Sequence, residues 1–130
     1  MTLYVDTSAL VKLVVDEAHS TALRQRLHTE ARLISSALCR TELRRAVSDQ
    51  GAPAATQAEA LLASLEFMPL TDTVLDAAGR LRISAVPFLR SLDALHLASA
   101  QRLPDPQLVT YDRRMADAAQ GLSMLVDTPT

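Results

Sequence analysis

The feature that most constrains this chain is an alternation of short apolar runs with stretches of helical spacing. Runs over 2–5, 32–35, 66–70, 107–110 and 122–126 are too short for helices and suit buried strands. Between them apolar residues recur at three- and four-residue intervals, which predicts helices over about 7–15, 17–29, 36–50, 53–65, 71–83, 91–103 and 112–120. Gly51, with Pro53 just beyond, stops the third helix, and Pro104-Asp105-Pro106 marks a turn. Parallel neighbours need a crossover connection, and a helix is its usual form. The expected fold is therefore α/β, three layers deep, with a five-stranded parallel sheet between helices. A length of 130 residues is expected to make one domain, 1–130.

Composition narrows the functions. Aromatic residues are only 3% of the chain and Trp is absent, which excludes a base-stacking aromatic platform as the main mode of recognition. A formal net charge of −2 excludes nucleic-acid binding driven by overall charge. The position of charges then matters more than their sum. Twelve of the 13 basic residues are Arg, whose planar fork matches phosphate, although genome composition explains the same bias. A single cysteine, Cys39, excludes an internal disulfide and a multi-cysteine zinc site, and reads as a core residue. No apolar stretch approaches the ~20 residues of a membrane span, and no signal-peptide pattern precedes the first strand. A soluble, cytoplasmic protein without a membrane partner is expected.

In open α/β sheets the binding crevice lies beyond the carboxyl ends of the strands. Asp6 follows the first strand, Glu42 lies in the helix after the second, Asp93 opens the apolar helix, and Asp112 follows the fourth strand. A parallel sheet gathers all four on one edge. Two like charges ~4 Å apart repel by about 4 kcal/mol at an effective dielectric of 20, so such a cluster calls for a cation. All-oxygen donors select Mg²⁺ or Mn²⁺ over zinc, and such ions assist phosphodiester hydrolysis. Singly, Asp6 and Asp112 are also explained as helix N-caps, and Asp93 as a charge suited to a helix dipole. Glu42 lies mid-helix, where no cap is needed; an ion pair with Arg45 is its plainer explanation.

The chain resembles the PIN-domain ribonucleases, in particular the VapC toxins of type II toxin–antitoxin systems. Asp6-Thr7-Ser8-Ala9-Leu10-Val11-Lys12, Thr41-Glu42-Leu43, Ser91-Leu92-Asp93-Ala94-Leu95-His96-Leu97-Ala98 and Thr110-Tyr111-Asp112-Arg113-Arg114 match that family's motifs in order. The resemblance implies a PIN-like five-stranded fold, with Asp6, Glu42, Asp93 and Asp112 as a catalytic acid set binding one or two Mg²⁺ or Mn²⁺ ions. It implies hydroxyls of Ser8 and Thr110 beside that set. It further implies RNA as substrate, water as the attacking group with 5′-phosphate and 3′-hydroxyl products, a homodimer, and inhibition by a VapB-like antitoxin whose arm brings a basic side chain to the acids.

Arg113 and Arg114 read either as holders of substrate phosphate or as a solvated face. Arg40, Arg44 and Arg45 read first as solvated. For His96 a packed or hydrogen-bonded helix histidine is favoured over a general base. A haloacid-type phosphatase would need a second acid where Ser8 stands and a late Lys, and the only Lys is Lys12. A dinucleotide enzyme would need glycines after the first strand, whereas they stand at 51, 79 and 121. Two alternatives remain: a PIN-like module that binds antitoxin or RNA without cutting, whose mark would be a lost acid although all four are present, and cleavage of DNA instead of RNA, since nothing in the sequence reads a 2′-hydroxyl.

Overall fold

A computed structural model describes residues 2–28 and 32–130. It contains strands β1 (Thr2–Val5), β2 (Arg32–Ser36), β3 (Glu66–Met68), β4 (Gln107–Val109) and β5 (Leu125–Asp127). Helices α1 (Thr7–Val14), α2 (Ser20–Leu27), α3 (Cys39–Ala46), α4 (Ala52–Ser64), α5 (Asp72–Arg80), α6 (Ser91–Ala100) and α7 (Arg113–Gly121) connect them. All five strands are parallel, in the order β3-β2-β1-β4-β5.

Successive side chains of a strand point to opposite faces, and β1 supplies both cores at once. Leu3 and Val5 pack with Leu10, Leu23, Leu43, Leu62 and Val109 beneath α1–α4. Tyr4 points the other way, among Leu97, Leu108, Met115 and Ala118 of β4, α6 and α7. Leu3, Tyr4 and Val5 are fully buried because helices cover both faces. The expected three-layer α/β fold is present.

Element boundaries moved where local hydrogen bonds outweigh apolar spacing. Ser36 ends β2 rather than opening a helix: the Ala37 N–H donates to the Met68 carbonyl of β3, and Ser36 Oγ accepts from the Leu38 N–H. Helix α3 accordingly begins at Cys39. The second helix starts at Ser20 rather than Glu17, after His19 in the left-handed region at φ 70°; Thr29, the expected end of that helix, lies outside the described residues. Leu122 donates back to Ala118 and Ala119 and so belongs to the end of α7, leaving β5 to start at Leu125.

The chain runs from β1 outward through β2 to β3, then returns to add β4 and β5 on the other side of β1. The reversal falls between β1 and β4, whose carboxyl ends flank the crevice of such a sheet. The Asp6 N–H donates to Val109 O at 3.2 Å, tying the two strand ends together there.

Candidate active site

Asp6 is the first residue past β1 and the N-cap of α1, where its Oδ1 accepts from the Ala9 N–H at 3.1 Å. The same Oδ1 accepts from Ser8 Oγ at 2.6 Å, and Oδ2 accepts from Thr110 Oγ1. Each hydroxyl has one proton, and both protons go to Asp6. Their lone pairs hold the following strand end: Ser8 Oγ accepts from the Tyr111 N–H at 2.9 Å and Thr110 Oγ1 from the Asp112 N–H at 3.1 Å. Asp6 is buried, and that burial pushes its pKa up, opposed by the bonds from Ser8, Thr110 and the Ala9 N–H.

Asp112 caps α7 with Oδ1 alone, which accepts from the N–H groups of Arg114 at 2.9 Å and Met115 at 3.2 Å. Its Oδ2 accepts instead from Arg90 at 3.0 Å. Capping and site roles are therefore not alternatives for Asp6 and Asp112: the helix N-terminus engages one oxygen and fixes where the other lies. Asp93, in the first turn of α6 and buried, accepts from no backbone donor among the described residues; its Oδ2 takes the Arg90 Nε–H at 2.9 Å.

Glu42, on α3, is held by side chains. Its Oε1 accepts from Thr7 Oγ1 at 2.8 Å and from His96 Nε2 at 2.6 Å. Partial burial would raise its pKa, but the hydrogen bonds from His96 and Thr7 and the charge of Arg90 outweigh it, and Glu42 titrates below the usual carboxylate range. The Arg45 pairing that spacing suggests is replaced by His96, 54 residues away. His96 is itself buried, with Nδ1 2.6 Å from the Tyr4 hydroxyl. The packed, hydrogen-bonded reading of His96 holds, and the residue positions Glu42.

Glu42 and Asp93 line a cavity of about 190 Å³ together with Arg90. Arg113 and Arg114 are exposed on the first turn of α7 beside Asp112. Among the Arg residues flanking Glu42, Arg44 pairs with Glu59 on α4 through Nε at 2.8 Å and a second nitrogen at 2.9 Å. Arg90 is the participant that the sequence reading missed. Its signal was its place three residues before Asp93, one helical turn from an acid on the same face.

Among the described residues no three carboxylates or imidazoles close into a compact ligand shell. The donor set nonetheless fits a hard divalent cation. Every donor is a carboxylate oxygen, Asp6 Oδ2 keeps a lone pair beyond its one bond, and Asp93 and Asp112 already converge on a positive charge, the Arg90 guanidinium.

A parallel sheet with Asp6 and Asp112 just past the strand ends at its reversal point, and with Arg90 joining Asp112 to Asp93, defines an α/β protein with an acidic sheet edge. The PIN domain family model matches residues 3–121, and a Mycobacterium tuberculosis (strain ATCC 25618 / H37Rv) protein named Ribonuclease VapC46 is 47% identical over 131 aligned residues, 98% of each chain. The chain belongs to the PIN-domain family, in its VapC branch. Solved structures share the fold at low identity. One is Mycobacterium tuberculosis VapC20, described as a Sarcin–Ricin loop cleaving toxin, with a TM-score of 0.77 at 16% identity, covering 98% of this chain and 99% of that one. Another is VapBC2 from Rickettsia felis bound to a DNA fragment from its promoter, with a TM-score of 0.75 at 16% identity and complete coverage of both chains.

Proposed function

We propose that this chain is a divalent-metal-dependent endoribonuclease, the toxin of a VapBC-type pair, with Asp6, Glu42, Asp93 and Asp112 as its catalytic acids. The observation that carries the reading is 47% identity, over 98% of each chain, to a named ribonuclease; the Arg90 bridge between Asp93 and Asp112 and the place of Asp6 just past β1 support the choice of acids. Mg²⁺ or Mn²⁺, when bound, supplies Lewis-acid stabilisation of the charge that builds on the phosphate oxygens.

The chain's own residues do the rest. Ser8, Thr110 and the Ala9 N–H fix Asp6, Thr7 and His96 fix Glu42, and the start of α7 fixes Asp112. Carboxylates held this way need little rearrangement to take a cation, which is what electrostatic catalysis demands. Arg113 and Arg114 stand where an RNA phosphate would approach Asp112. Ser8 and Thr110 act on substrate through Asp6, since their protons are engaged there.

A VapB-like antitoxin is the expected protein partner, and Rickettsia felis VapBC2, which shares this fold, is supporting context. A homodimer, which the family resemblance implies, belongs to the same reading. Residues 1–130 act as one PIN domain in this reading. Among the described residues no helix is long and apolar enough to cross a membrane.

The test is cleavage of total bacterial RNA by the purified, antitoxin-free chain in Mn²⁺, with EDTA and Asp93→Asn controls and sequencing of the new 5′ ends. Discrete ends that vanish in both controls support the reading. Intact RNA, with no Mn²⁺ binding to the chain, leaves a binding module.

A further inference from the structure

Arg90 is the one basic side chain that bridges two of the four acids among the described residues. Its side chain is 60% exposed, while those of Asp93 and Asp112 are 9% and 27% exposed, so the guanidinium lies across the acids from the solvent side. The atoms it holds are Asp93 Oδ2 and Asp112 Oδ2. Asp112 Oδ1 is already engaged by two backbone N–H groups, so Oδ2 is the oxygen that Asp112 can offer a cation.

An arginine keeps its charge at any ordinary pH, so deprotonation cannot relieve the competition. Only movement of the side chain can. Arg90 is the residue before the first turn of α6, with its backbone extended at φ −69° and ψ 150°. Its Cα is therefore fixed by the helix start, while the half-exposed side chain can swing out without disturbing the fold.

We infer that Arg90 is a built-in stand-in for the divalent cation, holding Asp93 and Asp112 together in the metal-free chain and leaving their Oδ2 atoms when the ion arrives. This rests on the four-acid metal reading given above. Arg90 is thus a positioning residue that sets metal affinity. Without it the two acids repel each other in the metal-free state, and a divalent ion meets no competitor.

The inference is tested by calorimetric titration of Mn²⁺ into the full-length, metal-free chain, its Arg90→Gln variant and its Arg90→Lys variant, with thermal melting of each before and after Mn²⁺. Arg90→Gln is expected to bind Mn²⁺ about tenfold more tightly, because a cation facing the same oxygens has been removed. It should also melt lower than the wild type without metal, with the gap closing at saturating Mn²⁺. Arg90→Lys, which keeps the charge but loses the fork, should lie between the two, and it serves as the decisive variant if the glutamine chain does not fold. Equal or weaker Mn²⁺ binding by both variants, with binding by the wild type intact, overturns the role of Arg90 and leaves the nuclease reading standing. Failure of all three chains to bind Mn²⁺ overturns the metal reading itself, and this inference with it.

Discussion

His96 Nε2 lies 2.6 Å from Glu42 Oε1, joining α6 to α3 across the crevice. An ionised carboxylate only accepts, so the imidazole donates from Nε2, and in its neutral form Nδ1 must accept. The donor is the Tyr4 hydroxyl, 2.6 Å away, which stays protonated because burial, and then the Asp6 charge, push its pKa well up. A residue in the middle of β1 thereby sets the tautomer of the histidine that orients Glu42.

Tyr4→Phe keeps the volume of this buried ring but removes that donor. The Nδ1 lone pair is then left unsatisfied in the core, which should lower unfolding free energy by about 1–3 kcal/mol. Urea denaturation of the two chains measures the loss. A change within error would mean that His96 does not depend on Tyr4 for its hydrogen bond.

The two best-buttressed acids should drive stability in opposite directions with pH. Glu42 has its folded pKa lowered, so its contribution is present above its unfolded pKa and is lost as pH falls through the folded one. Asp6 has its folded pKa raised, so its contribution is present below its unfolded pKa and is lost as pH rises through the folded one. In metal-free buffer Asp6→Asn removes the second effect. Its melting temperature relative to wild type should therefore climb as pH rises through the carboxylate range, with EDTA present throughout. A difference that is flat in pH would mean that burial does not penalise the Asp6 charge.

These couplings also show what the sequence could and could not convey. Leu3, Tyr4 and Val5 form an unbroken apolar run because both faces of β1 are covered, so the strand, its burial and the acid just beyond it were legible together. Asp6 and Asp112 were legible as residues at strand ends, in a fold class whose crevice lies there. The partners of Glu42 and Asp93 were less so. His96 is 54 residues from Glu42, and Arg90 meets Asp112 across 22. Such pairings follow from how α6 settles on the sheet, which no local spacing records. The start of β5 was misread for a local reason: Leu122 fits a strand pattern, but its N–H completes α7, and Ser123 then turns the chain at φ 61°.

Arg113 and Arg114 are exposed, so their substitution separates RNA binding from folding. The double variant Arg113→Ala/Arg114→Ala should unfold within about 0.5 kcal/mol of wild type. Its affinity for a cleavage-blocked RNA should fall, and the slope of log affinity against log salt should become shallower by roughly 0.7 for each single-strand phosphate that is no longer neutralised. Filter binding across a salt series measures both. An unchanged slope would assign the two arginines to a solvated surface.

Asp112 does two jobs with two oxygens, and a pair of substitutions can separate them. Asparagine caps a helix about as well as aspartate, through the same side-chain oxygen, but offers no negative charge. Asp112→Asn should therefore keep the stability of α7 while losing RNA cleavage by about 10²-fold or more, the scale seen when one preorganised electrostatic interaction is removed from a transition state. Asp112→Ala should lose the same activity and, in addition, about 1 kcal/mol of stability, because the Arg114 and Met115 N–H groups then have no side-chain acceptor. Cleavage rates and chemical denaturation of the two variants, measured side by side, decide the matter. Equal stability loss in both would mean that the charge, rather than the capping oxygen, supports α7. Retained cleavage in Asp112→Asn would remove Asp112 from the acid set and leave it as a cap alone.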